Sequence, residues 1–117
     1  MDNLYHELLL DLYRHPLNKK IPESYDWRHK EFNPLCGEEV ELFLKYDGEK
    51  LVEIGWQGDG CALSQAGASV LTETAKGKNK TELAEMKADY ILEQLGLANL
   101  NPTRQRCALL ALKTLQK

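Results

Sequence analysis

Two segments in which apolar and polar residues alternate frame a tight turn near the middle of the chain. The apolar positions of the two segments are Val40, Leu42, Leu44 and Tyr46, and then Val52, Ile54 and Trp56. A period of two is typical of β-strands, and the intervening Asp47-Gly48 pair favours a tight hairpin turn. The sequence therefore predicts an antiparallel β-hairpin over residues 40–57, which any fold of this chain must accommodate.

Helical patterns stand on both sides of this hairpin. Apolar residues recur at helical spacing over residues 4–12, and His15-Pro16 ends that segment, because a residue before proline avoids the helical region. Further helices are predicted at 61–76, 81–86, 89–95 and after Asn101-Pro102, a cap followed by proline at the first helical position. Residues 16–35 carry three prolines and predict an extended loop, pinned to the core by its aromatic residues, Tyr25, Trp27 and Phe32.

The order helix, loop, hairpin, helices predicts an α+β fold, in which helices pack on one face of a small antiparallel sheet. A chain of 117 residues fits one compact domain. We therefore expect a single domain over residues 1–117.

The composition excludes several classes of protein. The chain has 15 basic and 18 acidic residues, for a net charge of −3, which is unlike the basic surface of a nucleic-acid-binding domain. Its longest apolar run, Cys107–Leu112, is far shorter than a membrane-spanning helix. The N-terminal segment has acidic residues within its apolar pattern, unlike a secretory signal. We therefore expect a cytoplasmic protein without nucleic-acid or membrane partners.

The three cysteines stand at the boundaries of the predicted elements. Cys36 precedes the first hairpin strand and is followed by Gly37, Cys61 follows Gly60 at the start of a helix, and Cys107 lies in the first turns of the last helix. Glycine lets the backbone approach a ligand closely. The helix N-terminus at Cys61, and the arginines before Cys107, favour the thiolate, the form that binds metals and attacks sulfur.

These thiols form either one shared site or three unrelated positions. Three thiolates together with Glu38, which lies two residues after Cys36, would complete a tetrahedral zinc site. The same thiolates suit an iron–sulfur cluster. However, the chain has no Cys-x-x-Cys pair, so zinc-finger and thioredoxin patterns are absent, and free cysteines often serve as buried apolar residues. Both interpretations stay open from the residues alone.

The segments around these cysteines resemble those of the iron–sulfur cluster scaffold family that comprises IscU, SufU and the N-terminal domain of NifU. The first segment is similar to the family's ILDHYRNPRN start, and the three cysteine segments are similar to its NPxCGD, GxGCxxSxA and PxRxKCA motifs. The matching segments, in chain order, are Leu8–Asn18, Asn33–Glu38, Gly58–Ala66, Lys76–Lys78 and Pro102–Ala108. The resemblance covers nearly the whole chain and implies a SufE/IscU-like fold.

The resemblance also implies roles for single residues. Cys36, Cys61 and Cys107 correspond to the three ligand cysteines for a metal ion or an iron–sulfur cluster, and Cys36 and Cys107 are the candidate persulfide acceptors. Glu38 stands where the family usually has aspartate, as a fourth metal ligand. Arg106 replaces a histidine of IscU or a lysine of SufU. Because arginine does not deprotonate in proteins, we expect Arg106 to stabilise a neighbouring thiolate by charge rather than to ligate metal.

The function that the resemblance implies is that of a scaffold rather than an enzyme. Such a scaffold accepts persulfide sulfur from a cysteine desulfurase, binds iron or a 2Fe–2S cluster, or zinc in its resting form, and supplies recipient apo proteins. One alternative is a zinc-dependent sulfur acceptor that stimulates the desulfurase without building clusters, and another is a structural zinc adaptor. The LPPVK segment through which IscU binds its chaperone is replaced by residues 98–102, so we do not expect an Hsp70-type chaperone as a partner.

Overall fold

The computed structural model describes residues 3–34, 37–97, 99 and 101–117. These residues form three strands and six helices in an α+β arrangement. In chain order the elements are α1 (Asn3–Arg14), β1 (Trp27–Asn33), β2 (Glu38–Asp47), β3 (Lys50–Asp59), α2 (Ala62–Ala75), α3 (Lys80–Ala84), α4 (Ala88–Gln94), α5 (Pro102–Ala108) and α6 (Leu110–Leu115). Within the described residues, no helix is both long and apolar enough to span a bilayer.

The hairpin predicted from the alternating residues is confirmed. Strands β2 and β3 pair antiparallel from Glu39 opposite Asp59 to Asp47 opposite Lys50, and the sheet order is β1-β2-β3. Gly48 has a φ of 63°, a left-handed conformation that glycine adopts without steric cost. The hairpin thus forms the centre and one edge of the sheet.

Strand β1 was not predicted, because residues 16–35 read as a loop. It pairs antiparallel with β2 over its whole length. Its covered side carries polar residues, including His29 and Glu31, whereas Phe32 faces outward and is 57% exposed. Polar residues on the covered side and an apolar residue on the open side hide the alternation that marks a strand. The expectation that Phe32 pins this segment to the core is therefore wrong.

The helices after the hairpin follow the sequence pattern, with one difference. The predicted last helix consists of two, α5 and α6, because the chain departs from helical geometry at Leu109 (φ −100°, ψ 5°). The cap predicted at Asn101 is present, since its side-chain oxygen accepts a hydrogen bond from the backbone N–H of Arg104 at 3.0 Å. Helix α5 thus starts where the sequence predicts.

The core lies between the sheet and the helices, with Trp56 fully buried as expected. Helix α2 faces this core through small residues, and α5 lies directly against it. A Cβ added to Gly67 would collide with the carbonyl oxygen of Ala108. This close approach of α5 to α2 brings the last cysteine near the start of α2.

The segment between α1 and β1 contains a strap, residues 17–20, that covers the outer edge of β3. The backbone N–H of Trp56 donates to the carbonyl oxygen of Asn18 at 3.0 Å, and the Trp56 indole donates to the Leu17 carbonyl at 2.7 Å. The strap is also bonded to α2: Ser69 Oγ accepts from the Leu17 N–H, and the Asn18 amide donates to Thr72 Oγ1, both at 3.0 Å. The strap therefore ties the sheet edge to the longest helix.

Candidate metal centre

Three side chains from distant parts of the chain converge at one end of the sheet. One ligand atom each from Glu38, Cys61 and Cys107 lies within 4.8 Å of the other two. The three residues come from the start of β2, the start of α2 and the last turn of α5. The convergence of Cys61 with Cys107 is therefore present, and Glu38 joins them in the Glu38–Cys61–Cys107 cluster.

Glu38 supplies the carboxyl group of the cluster. Its residue is 1% exposed. One oxygen, Oε1, accepts a hydrogen bond from Cys61 Sγ at 3.3 Å, whereas Oε2 is buried without a partner among the described residues. A buried carboxylate oxygen without a partner is costly. A cation bound by the cluster would remove that cost, so the environment of Glu38 fits a metal ligand.

Cys61 is the exposed member of the cluster and stands at the N-cap of α2 with extended backbone angles (φ −74°, ψ 171°). The preceding Gly60 leaves the space that the cluster needs, because a Cβ there would collide with Ser64 Oγ and lie 3.0 Å from Glu38 Cγ. The side chain of Cys61 thus lies on the solvent side of the cluster. Its place at the start of a helix was predicted from the sequence.

Cys107 is the deeply placed thiol, 4% exposed, in α5. Its Sγ donates to the Thr103 carbonyl oxygen at 3.5 Å and lies 3.8 Å from Nδ2 of Asn33, which donates to it. Asn33 is not among the predicted site residues, although its place at the head of the NPxCGD-like segment is a signal that could have identified it. The buried thiol therefore has polar neighbours rather than an apolar pocket.

For two predicted site residues, Cys36 and Arg106, the described structure gives no place in the cluster. Cys36 lies outside the described residues, although the adjacent Gly37 has a left-handed φ of 65°. Arg106 is exposed and lines a groove together with Asn33 and Lys113. The positions of Cys36 as a ligand and of Arg106 as a thiolate stabiliser stay predictions.

None of the histidines that the structure describes joins the cluster. His29 instead contacts Glu31 on β1 at 2.5 Å. This hydrogen bond is the main reason that the pKa of the Glu31 carboxyl is below its usual value, with smaller contributions from nearby lysines. The donor set of the cluster is therefore sulfur and oxygen, which suits zinc or iron.

This chain is similar to a known family of proteins and to named relatives. The family model described as NifU-like N terminal domain matches residues 4–117. The zinc-dependent sulfurtransferase SufU of Bacillus subtilis is 32% identical over 100% of this chain and 90% of its own length. The iron–sulfur cluster assembly scaffold protein IscU 1 of Archaeoglobus fulgidus is 30% identical over 97% of this chain and 73% of its own.

Solved structures show the same fold. A protein of Fervidobacterium islandicum AW-1, assigned as a cluster assembly scaffold of the SUF system, superposes with a TM-score of 0.79 at 29% identity, covering 94% of this chain and 92% of its own. A NifU-like N-terminal protein of Brucella abortus superposes with a TM-score of 0.80 at 18% identity, covering 98% and 91%, and supports the fold alone. The chain therefore belongs to the family of NifU-like N-terminal domains, as the cysteine motifs predicted.

Proposed function

We propose that this protein is an iron–sulfur cluster assembly scaffold that receives sulfur from a cysteine desulfurase and supplies recipient apo proteins. The observation that carries the proposal is the convergence of Glu38, Cys61 and Cys107 within 4.8 Å. Membership in the family adds relatives that are named as scaffolds and as a zinc-dependent sulfurtransferase. A metal site without sulfur chemistry would account for the convergence but not for these relatives.

Cys36, Cys61 and Cys107 would hold the iron or the 2Fe–2S cargo, and Glu38 would be the fourth ligand. In the resting form, the same residues would hold zinc, which keeps bound thiolates deprotonated. Oε2 of Glu38 supports this assignment, because it is a buried acceptor without a partner among the described residues, and Glu38 lies beside two cysteines. Arg106 would contribute positive charge at the rim of the site.

The sulfur-transfer step uses a thiolate of this chain as the nucleophile. The thiolate of Cys36 or Cys107 attacks the outer sulfur of the desulfurase persulfide, a new S–S bond forms, and the old S–S bond breaks to leave the desulfurase thiolate. The exchange is redox-neutral. Since Cys107 is only 4% exposed, its sulfur has to be uncovered before a partner reaches it, so Cys36 is the acceptor to test first.

A second function is favoured by one comparison. The SufU relative that aligns with the whole of this chain is named a zinc-dependent sulfurtransferase. In that case the protein would accept the persulfide and stimulate the desulfurase in its zinc form, without building a cluster. The two functions share the donor set and differ in what the site holds during sulfur transfer.

Anaerobic reconstitution separates these functions. The purified protein is incubated with ferrous iron, L-cysteine and a cysteine desulfurase, and its visible spectrum, iron and acid-labile sulfide are measured. A scaffold acquires a coloured cluster, which Cys61→Ser abolishes and Glu39→Gln leaves intact. Glu39 is the matched control because it neighbours Glu38 but forms an ion pair with Lys30 at 3.7 Å instead.

The zinc-loaded protein is tested in parallel for stimulation of the desulfurase, and the persulfide is located by mass spectrometry. Stimulation without any cluster supports the zinc-dependent acceptor. A wild-type protein that forms no cluster, takes up no persulfide and behaves like Cys61→Ser in both assays contradicts both functions.

A further inference from the structure

Two residues that face each other across the sheet contact the two described cysteines of the cluster. Asn33 is the last residue of β1 and Glu38 the first of β2, and they are register partners. Directly opposed residues of an antiparallel pair project from the same face of the sheet. From that face the Asn33 amide donates to Cys107 Sγ at 3.8 Å, and Cys61 Sγ donates to Glu38 Oε1 at 3.3 Å.

These contacts distinguish the pair from the other buried polar side chains that the structure describes. Ser64, Thr72 and Thr114 donate to carbonyl oxygens of their own helix, and Ser69 accepts from the strap. Asn33, which is 8% exposed, instead donates an amide N–H to a sulfur atom 74 residues away in the chain. A buried amide placed this way directs its N–H at the Cys107 sulfur.

An amide N–H that donates to a ligating thiolate has two effects. It restrains the direction of the sulfur, and it withdraws electron density that the sulfur would otherwise share with the metal. Hydrogen bonds to sulfur are also one of the factors that set the potentials of iron–sulfur clusters. Asn33 can therefore affect metal binding at the site through its hydrogen bond to Cys107.

We propose that Asn33 is a positioning residue of the metal centre: its amide donates to Cys107 Sγ, holds that sulfur toward Cys61 and Glu38, and tunes its donation to the bound ion. Asn33 acts through Cys107 and does not itself touch the metal. This role rests on the proposed function, since it requires that Cys107 is a ligand.

Cobalt(II) titration of the metal-free protein, residues 1–117, tests the role, because thiolate-to-cobalt charge-transfer bands report how strongly sulfur donates. The variants are Asn33→Leu, which keeps the branched shape of the side chain and removes the donor, and Asn33→Ala. Phe32→Ala is the matched control, because Phe32 is the neighbouring residue on β1 but is 57% exposed on the opposite face. Thermal unfolding of each metal-free variant is measured alongside.

We expect both Asn33 variants to shift the charge-transfer band to longer wavelength and to weaken cobalt affinity by about 10- to 100-fold, with Phe32→Ala like wild type. An unmoved band at wild-type affinity in either folded variant overturns the role, even where the melting temperature falls, because that pattern is purely structural. A wild-type protein that shows no thiolate-to-cobalt band contradicts the proposed metal centre itself and the role of Asn33 with it.

Discussion

At the scale of single residues, Glu38 is the side chain whose placement demands an explanation. It begins a strand, is 1% exposed, and has one carboxyl oxygen without a partner among the described residues. Burying an unpaired carboxylate is strongly unfavourable unless a cation or a donor set compensates. Its position beside Cys61 and Cys107 makes a bound metal ion the compensation that fits.

Replacing the carboxylate of Glu38 should therefore weaken metal binding more than it changes the fold. We expect Glu38→Gln to lower zinc affinity by at least about tenfold, because a neutral amide is a poor zinc ligand. Glu38→Asp should retain most of the affinity, since it keeps the charged oxygen and shortens the reach by one methylene. Competition titration with a chromogenic zinc chelator measures both.

The control for this substitution is Glu39→Gln, which removes a neighbouring carboxylate that pairs with Lys30. We expect it to bind zinc as the wild type does. Equal zinc affinity in Glu38→Gln and wild type would exclude Glu38 as a ligand and leave its burial without an explanation.

At the scale of elements, the contact between α2 and α5 sets where Cys107 lies. Gly67 on α2 faces the Ala108 carbonyl oxygen of α5 with no space for a side chain. The residue before Ala108 is Cys107, so the distance between the helices and the position of that sulfur are linked. Small residues on α2 thus serve the site as well as the core.

Gly67→Ala should push α5 away from α2. The obstacle is a backbone oxygen, so relief requires a shift of the helix, and we expect a loss of about 1–3 kcal/mol in the free energy of unfolding together with weaker zinc binding. Urea denaturation and zinc titration measure the two effects. Glu73→Ala, at an exposed position on the same helix, should alter neither the stability nor the zinc affinity. Wild-type stability and zinc affinity in Gly67→Ala would contradict the link between helix packing and the position of Cys107.

The strap across the edge of β3 depends on one residue in an unusual conformation. Asn18 has a φ of 62°, which asparagine tolerates better than most residues, and its amide bonds Thr72 on α2. Asn18→Ala loses both advantages and should destabilise the protein by about 2 kcal/mol.

Asn18→Gly separates the two contributions, because glycine keeps the left-handed backbone and loses only the side-chain hydrogen bond. We expect a smaller loss for it, about 1 kcal/mol, in the same urea denaturation experiment. If the glycine variant were less stable than the alanine variant, the backbone explanation would be wrong.

At the scale of the whole molecule, the cluster joins the start of β2, the start of α2 and the last turn of α5. An ion held there binds the folded state and not the separated segments, so it stabilises the fold as a whole. A metal ion at this site would thus also link distant parts of the chain.

Removing zinc should lower the melting temperature of the wild-type protein. At a free zinc concentration about 100-fold above Kd, binding contributes about 2.7 kcal/mol to folding. Because the thiols must lose protons to bind, this stabilisation should decrease as the pH falls. Differential scanning fluorimetry with and without a chelator measures it, and Cys61→Ser should show little response to zinc. A wild-type protein with the same melting temperature in both conditions would argue against a shared ion.

The sequence by itself determined the local features of this protein. The alternation around Asp47-Gly48 predicted the hairpin, Asn101-Pro102 predicted the start of α5, and the motifs around the cysteines identified the family, because each signal resides in adjacent residues. Strand β1 was missed because its residues do not alternate as those of a half-buried strand do: polar His29 lies on the covered side and Phe32 on the open side. Its pairing with β2 makes it a strand.

Only the tertiary structure decided how these pieces meet. The strap along β3 and the burial of Glu38 both depend on contacts between residues far apart in the chain. The contact of Asn33 with Cys107 spans 74 residues, and no short segment of the sequence predicts that these two side chains meet. Non-local packing determines which of several plausible ligands share one site, and that information does not exist in any short stretch of sequence.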